Sequence, residues 1–169
     1  MGNNKANVVL VTGGICTVLL LAVDQISKFL AHRYLAGNSG ISLIQGAFEL
    51  FYLENRGAAF GILNNCQILF VIIALLIAAL AIYVYVRLPL DRVFYPLRFV
   101  CILITAGAVG NMIDRLARGY VIDFLYFSLI DFPIFNIADC YVCIGAGLAI
   151  VLLFTVYRSE EFDFLKFRG

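Results

Sequence analysis

The sequence predicts an all-α membrane protein: a four-transmembrane-helix bundle with a small extracytoplasmic β-cradle and both termini cytoplasmic. Three observations predict it. Of 169 residues, 63% are hydrophobic and 14% charged, too little polar matter to cover a soluble domain of this size. The apolar residues gather into four long runs, each close to the roughly 20 residues that a spanning helix needs. One long connection between the first two runs is rich in β-branched and aromatic residues with Gly punctuation, the composition of short strands. The chain reads as a single integral-membrane domain, 1–169.

The first apolar run, Val8 to Val23, follows a polar start with Lys5. It has the look of a signal peptide, but the helical pattern continues past Asp24 and no small-x-small cleavage site follows directly. It is therefore read as a retained helix over about 8–30. The second run is unbroken over 67–86. The third covers 99–117 and turns polar in its last turns. The fourth covers 137–157 and carries Asp139 near its start.

The connections differ in character. The first contains ISLIQGAFELFYLENRGAAFGIL, read as a β-cradle over about 40–65 lying on the membrane surface. The second, RLPLDRVFYPLR, is short and basic with two prolines. The third, 118–135, is aromatic and holds Asp123 and Asp131. With both termini inside, Lys5, Arg87, Arg92, Arg98, Arg158, Lys166 and Arg168 lie on the inner side, and Lys28, Arg33, Arg56, Arg115 and Arg118 on the other. This positive-inside bias places the cradle, Asp123 and Asp139 at the extracytoplasmic face.

Composition also excludes some chemistries. A net charge of +1 provides no basic patch for nucleic acid, and a single histidine, His32, rules out His-rich zinc sites. Cys140 and Cys143 match C-x-x-C formally, but on an apolar helix they read as small hydrophobic residues, without the turn or second pair that redox or zinc chemistry needs. No metal and no cofactor is expected.

Charged groups at membrane depth cost roughly 2.5–3.5 kcal/mol each on insertion scales, so they face a protein interior and pair. They concentrate in four places. Asp24 and Lys28 are four apart and share a helix face, either as a neutralised helix end or as the polar wall of a site. Ser27 and Lys28 point about 100° apart on a helix, which argues against a Ser-Lys dyad. Glu54-Asn55-Arg56-Gly57 leads into Ala58-Ala59-Phe60-Gly61, a stretch small and apolar enough to receive an extended peptide or lipid rather than form a plain turn. Gly107, Asn111, Asp114, Arg115 and Arg118 form one helical stripe on which small residues allow close helix approach and Asn111 and Arg115 can donate inward, while Asp114 with Arg118 also reads as a structural pair.

The fourth place is Val121-Ile122-Asp123-Phe124 with Phe135-Asn136-Ile137-Ala138-Asp139. Asn136 or a neighbour can cap the fourth helix, so Asp139 alone could be a dipole-stabilising acid. Asp123 sits in an apolar stretch with no adjacent cation, which a solvated loop does not explain. A short connection lets the two acids meet. Two carboxylates within about 3 Å share a proton; the ionised one can then deprotonate water while the protonated one polarises a peptide carbonyl. Asn111, Asn136 and Arg115 would orient them. A proton-coupled transporter and a structural membrane subunit are the rival readings. The former needs a polar relay across the bilayer, which the second run lacks.

The ordered set VDQISK, ENRGAAFGI, GAVGNMIDRL, GYVIDF and FNIAD resembles the lipoprotein signal peptidases (signal peptidase II) of bacteria. The resemblance covers nearly the whole chain and shows no departure at these motifs. It implies an aspartic endopeptidase of the cytoplasmic (inner) membrane that cleaves diacylglyceryl-modified prolipoproteins just before the lipidated cysteine. It further implies Asp123 and Asp139 as the catalytic dyad, supported by Asp24, Lys28, Asn55, Gly107, Asn111, Arg115, Asn136 and Ala138. The expected partners are prolipoprotein substrates and membrane lipid, with the enzyme a monomer.

Overall fold

A computed structural model describes residues 2–57 and 66–157. Four helices long and apolar enough to cross a membrane dominate it: α1 (Gly2–Leu35), α2 (Gln67–Arg87), α3 (Tyr95–Arg118) and α4 (Ile137–Thr155). A three-stranded antiparallel sheet, β1 (Ile41–Ile44), β2 (Phe48–Asn55) and β3 (Val121–Tyr126), pairs in the order β1-β2-β3. The expected four apolar helices with a small sheet are present.

Helix α3 is the hub. It packs against α1, α2 and α4, and its spanning window is far more buried than those of the other three. Its sequence suits that place, because small residues on its surface let neighbours approach closely. A Cβ added to Gly107 would lie 2.5 Å from the Ala138 carbonyl oxygen, and one on Gly110 2.6 Å from Asp24 Oδ2. Gly107→Val is therefore expected to push α4 off α3 and cost about 1–3 kcal/mol by overpacking, read as a lower unfolding midpoint in detergent.

Helix α1 runs well past the 8–30 expected for it. Its 34 residues make a rod of roughly 50 Å at about 1.5 Å per residue, longer than a hydrocarbon core of about 30 Å. The overhang is held by packing. Ala31 and Leu35 are buried against Ile122 and Phe124 of β3 and against Leu50 and Tyr52 of β2, so the last turns of α1 form the floor of the sheet.

The third strand differs from the expectation of an aromatic loop. Val121, Ile122, Asp123 and Phe124 are buried in succession, so β3 lacks the alternation that marks a half-exposed strand. Gly119 ends α3 in the left-handed region (φ 77°), its N–H donating to the Arg115 carbonyl. This turns the chain directly into β3, which pairs along β2 with Asn55 opposite Val121 and Leu53 opposite Asp123. The strand also exchanges hydrogen bonds between Leu125 and Phe135, which returns the chain to the start of α4.

Arg98 also departs from its expected place as a free loop cation. It is buried, and its guanidinium donates to the carbonyls of Tyr85 (2.8 Å), Leu88 (2.7 Å) and Pro89 (3.2 Å). These are carbonyls that the end of α2 leaves without helical partners.

Candidate active site

Ten polar side chains from α1, α3, β2, β3 and the start of α4 converge where the sheet meets the bundle. The network begins with Lys28. Its Nζ lies 3.0 Å from Asp24 Oδ2 and 3.1 Å from Asp114 Oδ2, all three side chains being 0% exposed. Arg118 pairs with Asp114 from one turn away, so two acids meet two cations and no net charge is buried. The remaining acceptors are used as well: Asp24 Oδ1 takes the Ala138 N–H (3.0 Å) and Asp114 Oδ2 the Ile122 N–H (3.3 Å). Gln25 Nε2 joins the cluster by donating to Asp24 and to the Gly110 carbonyl.

The third bond of Lys28 orients an amide. An ammonium only donates, so Asn111 turns its Oδ1 toward Lys28 Nζ (2.9 Å). Its Nδ2 must then face the other way, where it donates to Asp139 Oδ1 at 2.7 Å. Asn136 is fixed by backbone. It is the N-cap of α4, and its Oδ1 accepts the Asp139 N–H while Asp139 Oδ2 accepts the Asn136 N–H, each at 3.1 Å, a reciprocal capping box. Its Nδ2 is thereby left for Asp123 Oδ1. Asn55 follows the same logic: Oδ1 accepts the Gly57 N–H (3.0 Å) and Nδ2 donates to Asp123 Oδ2 (2.8 Å). Each of the three asparagines thus presents its NH₂ to a carboxylate because its oxygen is already engaged.

Asn136 therefore bonds to both Asp123 and Asp139. The two acids line one cavity of about 550 Å³ together with Asn55, Gly57 and Arg115, and its other walls are apolar, including Phe132, Phe135, Cys143 and Ile144. Burial pushes the Asp123 carboxyl up to about 7. The charge of Asp139 pushes the same way, against the Asn55 and Asn136 hydrogen bonds and the more distant Lys28. Arg115 makes no hydrogen bond or ion pair with either acid. Its guanidinium lies over the Phe70 ring (4.9 Å) and reaches the Asn111 and Gly57 carbonyls, and its buried Nε has no hydrogen-bond partner among the described residues.

The sequence matches a family. The profile described as Signal peptidase (SPase) II covers residues 16–155. The chain belongs to the signal peptidase II family. The lipoprotein signal peptidase of Symbiobacterium thermophilum is 44% identical over 148 residues, which is 86% of this chain and 95% of the relative. That of Streptococcus pyogenes serotype M1 is 39% identical over 145 residues, 86% and 92% of the two chains. Two solved structures of bacterial membrane enzymes superpose with TM-scores of 0.76 and 0.73 at 28% and 30% identity, covering 94% and 86% of this chain and 93% and 94% of theirs. As a signal peptidase II, this is a membrane protease of lipoprotein processing.

Every residue that the family resemblance singled out lies in or against the network. Asp24, Lys28, Asn55, Asn111, Asp123, Asn136 and Asp139 are joined by the bonds above. Gly107 and Ala138 form the contact that lets α3 and α4 close around it, and Arg115 walls the cavity. Sequence reasoning missed Gln25 and gave Asp114 only a helical partner. Of the small apolar stretch expected to receive a peptide or lipid, all but Gly57 lies outside the described residues.

Proposed function

We propose that this signal peptidase II is an aspartic endopeptidase that removes the signal peptide from diacylglyceryl-modified prolipoproteins, cleaving just before the lipidated cysteine. One observation carries the reading: Asp123 and Asp139 open onto one largely apolar cavity while a single asparagine, Asn136, bonds to both. Such a site suits a pair of carboxylates that share one proton. Asp139, in the first turn of α4 where the helix dipole favours an anion, takes a proton from a water held between the acids. The water oxygen attacks the peptide carbonyl as Asp123 gives its proton to the carbonyl oxygen. The resulting gem-diol intermediate collapses: Asp139 gives its proton to the leaving amine, the C–N bond breaks, and one hydroxyl returns a proton to Asp123 as the carbonyl re-forms. No covalent enzyme intermediate, metal or cofactor enters. The unpartnered Nε of Arg115 supplies a donor for substrate or developing oxyanion.

The surroundings fit a lipid-bearing substrate. Apolar walls beside the acids accept acyl chain and signal-peptide side chains, and a substrate confined to the bilayer reaches them by lateral diffusion. For orientation, the cations already bound within the fold (Arg98, Lys28, Arg115 and Arg118) are set aside, which leaves six Lys/Arg against two in favour of cytoplasmic termini. The acids then open at the extracytoplasmic face of a bacterial inner-membrane enzyme, a single domain acting as a monomer. Purified protein in excess chelator is expected to release signal peptide from a diacylglyceryl-modified precursor, mass spectrometry placing the cut just before the modified cysteine, and to leave the unlipidated precursor intact. Equal cleavage of both precursors would contradict the lipid requirement, and loss of activity on chelation would contradict the mechanism.

A further inference from the structure

A second feature lies at the opposite end of the bundle from the carboxylates. Three cavities run end to end along α1. The first, about 350 Å³, is apolar and is walled by Gly13, Gly14, Thr17, Tyr85 and Ile102. It shares Gly13, Tyr85 and Ile102 with a second of about 290 Å³, which adds Arg98. The second shares Val8, Val9 and Tyr95 with a third of about 670 Å³, whose polar groups are Asn4, Lys5, Asp91 and Arg92. Together they make one groove, apolar at bilayer depth and polar at the helix ends, where Lys5 and Arg92 outnumber the single acid Asp91.

We propose that this groove binds one anionic phospholipid, its headgroup against Lys5 and Arg92 and an acyl chain along Gly14 and Thr17. Four observations carry it. From Lys5 to Thr17, α1 rises about 18 Å, close to half of a hydrocarbon core of about 30 Å, so the groove spans one leaflet. Among the described residues, neither Lys5 nor Arg92 belongs to an ion pair, so their charge is available to a phosphate. In the middle cavity, Arg98 is 6% exposed and its buried Nε has no hydrogen-bond partner among the described residues, a donor at the depth of an ester carbonyl. The small residues divide the groove: the Tyr85 hydroxyl donates to the Val9 carbonyl and fills the space a Gly13 side chain would need, whereas the space over Gly14 is open, a Cβ there meeting nothing within 4 Å.

That last contrast provides the test. Gly14→Leu fills the groove without a backbone clash, and Lys5→Gln with Arg92→Gln removes exposed charge only. Delipidated full-length protein would be titrated with phosphatidylglycerol and with phosphatidylcholine of the same chains, and bound lipid counted by native mass spectrometry. One phosphatidylglycerol is expected to be retained at least ten-fold more tightly than phosphatidylcholine. The charge variant is expected to lose about twenty-five-fold in affinity, near five-fold per cation, and Gly14→Leu to lose the single-lipid peak. Equal retention of the two lipids marks an ordinary annular lipid and overturns the proposal, as does wild-type phosphatidylglycerol binding by either variant.

Discussion

Asp123→Asn and Asp139→Asn are each expected to lower signal-peptide release by about 10²–10⁴-fold, the range for losing a positioned acid or base, while the protein stays folded. The two losses have different causes. Asp139 accepts hydrogen bonds on both oxygens, from Asn111 Nδ2 and from the Asn136 N–H; an asparagine there keeps one acceptor, turns its NH₂ to the other donor and cannot take a proton from water. Asp123 is bracketed by two Nδ2 donors, from Asn55 and Asn136, so an asparagine opposes one of them with its own NH₂ and gives up an acid as well. Both replacements preserve shape but set an NH₂ against a donor, so unfolding midpoints in detergent should fall by no more than the roughly 1–3 kcal/mol of one unsatisfied buried group. Single-turnover cleavage of a lipidated precursor measures the loss, and near-wild-type rates in either variant would remove that residue from the chemistry.

Lys28→Met is expected to destabilise the fold by about 3–5 kcal/mol, the cost of breaking a buried ion pair by removing one partner. The ammonium lies between Asp24 and Asp114, with no solvent access to any of the three. Without it, two buried acids are left to a single cation, Arg118. Activity should fall too, because Lys28 sets the orientation of Asn111 and so the donor to Asp139. Thermal unfolding in detergent checks the first effect. Adding Asp24→Asn should restore part of the stability by removing an uncompensated charge, and failure of Lys28→Met to lower the midpoint would contradict the paired arrangement.

Much of this site was legible because polar residues in apolar runs are conspicuous. Asp24 with Lys28 and Asp114 with Arg118 could be paired from their four-residue spacing, and Asn136 could be named as a cap from its place before an apolar run. What spacing cannot supply is contact across the bundle. The bond from Lys28 to Asp114 and the reach of Gln25 to the Gly110 carbonyl join α1 to α3, and neither helix alone hints at them. Strand β3 was hidden for another reason: burial on both faces removes the period-two pattern. The apolar cavity wall from Phe132 to Phe135 likewise follows from β3, which folds that segment back beside Asp123 through the Leu125 and Phe135 pairing. Arg98 misled because a cation in a Pro-rich connection resembles a free loop charge, whereas here it serves the carbonyls at the end of α2.

The shared proton is tested most directly by the pH dependence of kcat/KM for a lipidated precursor, which reports the free enzyme's acid and base. Asp123 is raised to about 7 by burial and by Asp139, so below that pH it keeps the proton it must donate, and above it the proton is lost. The expected profile is a bell that falls on the alkaline side as pH rises through about 7 and on the acid side as the second carboxyl is protonated, with both apparent values belonging to the coupled pair. A rate that stays level from acid to alkaline pH, or climbs steadily through 7, would contradict a pair of carboxylates working on one proton.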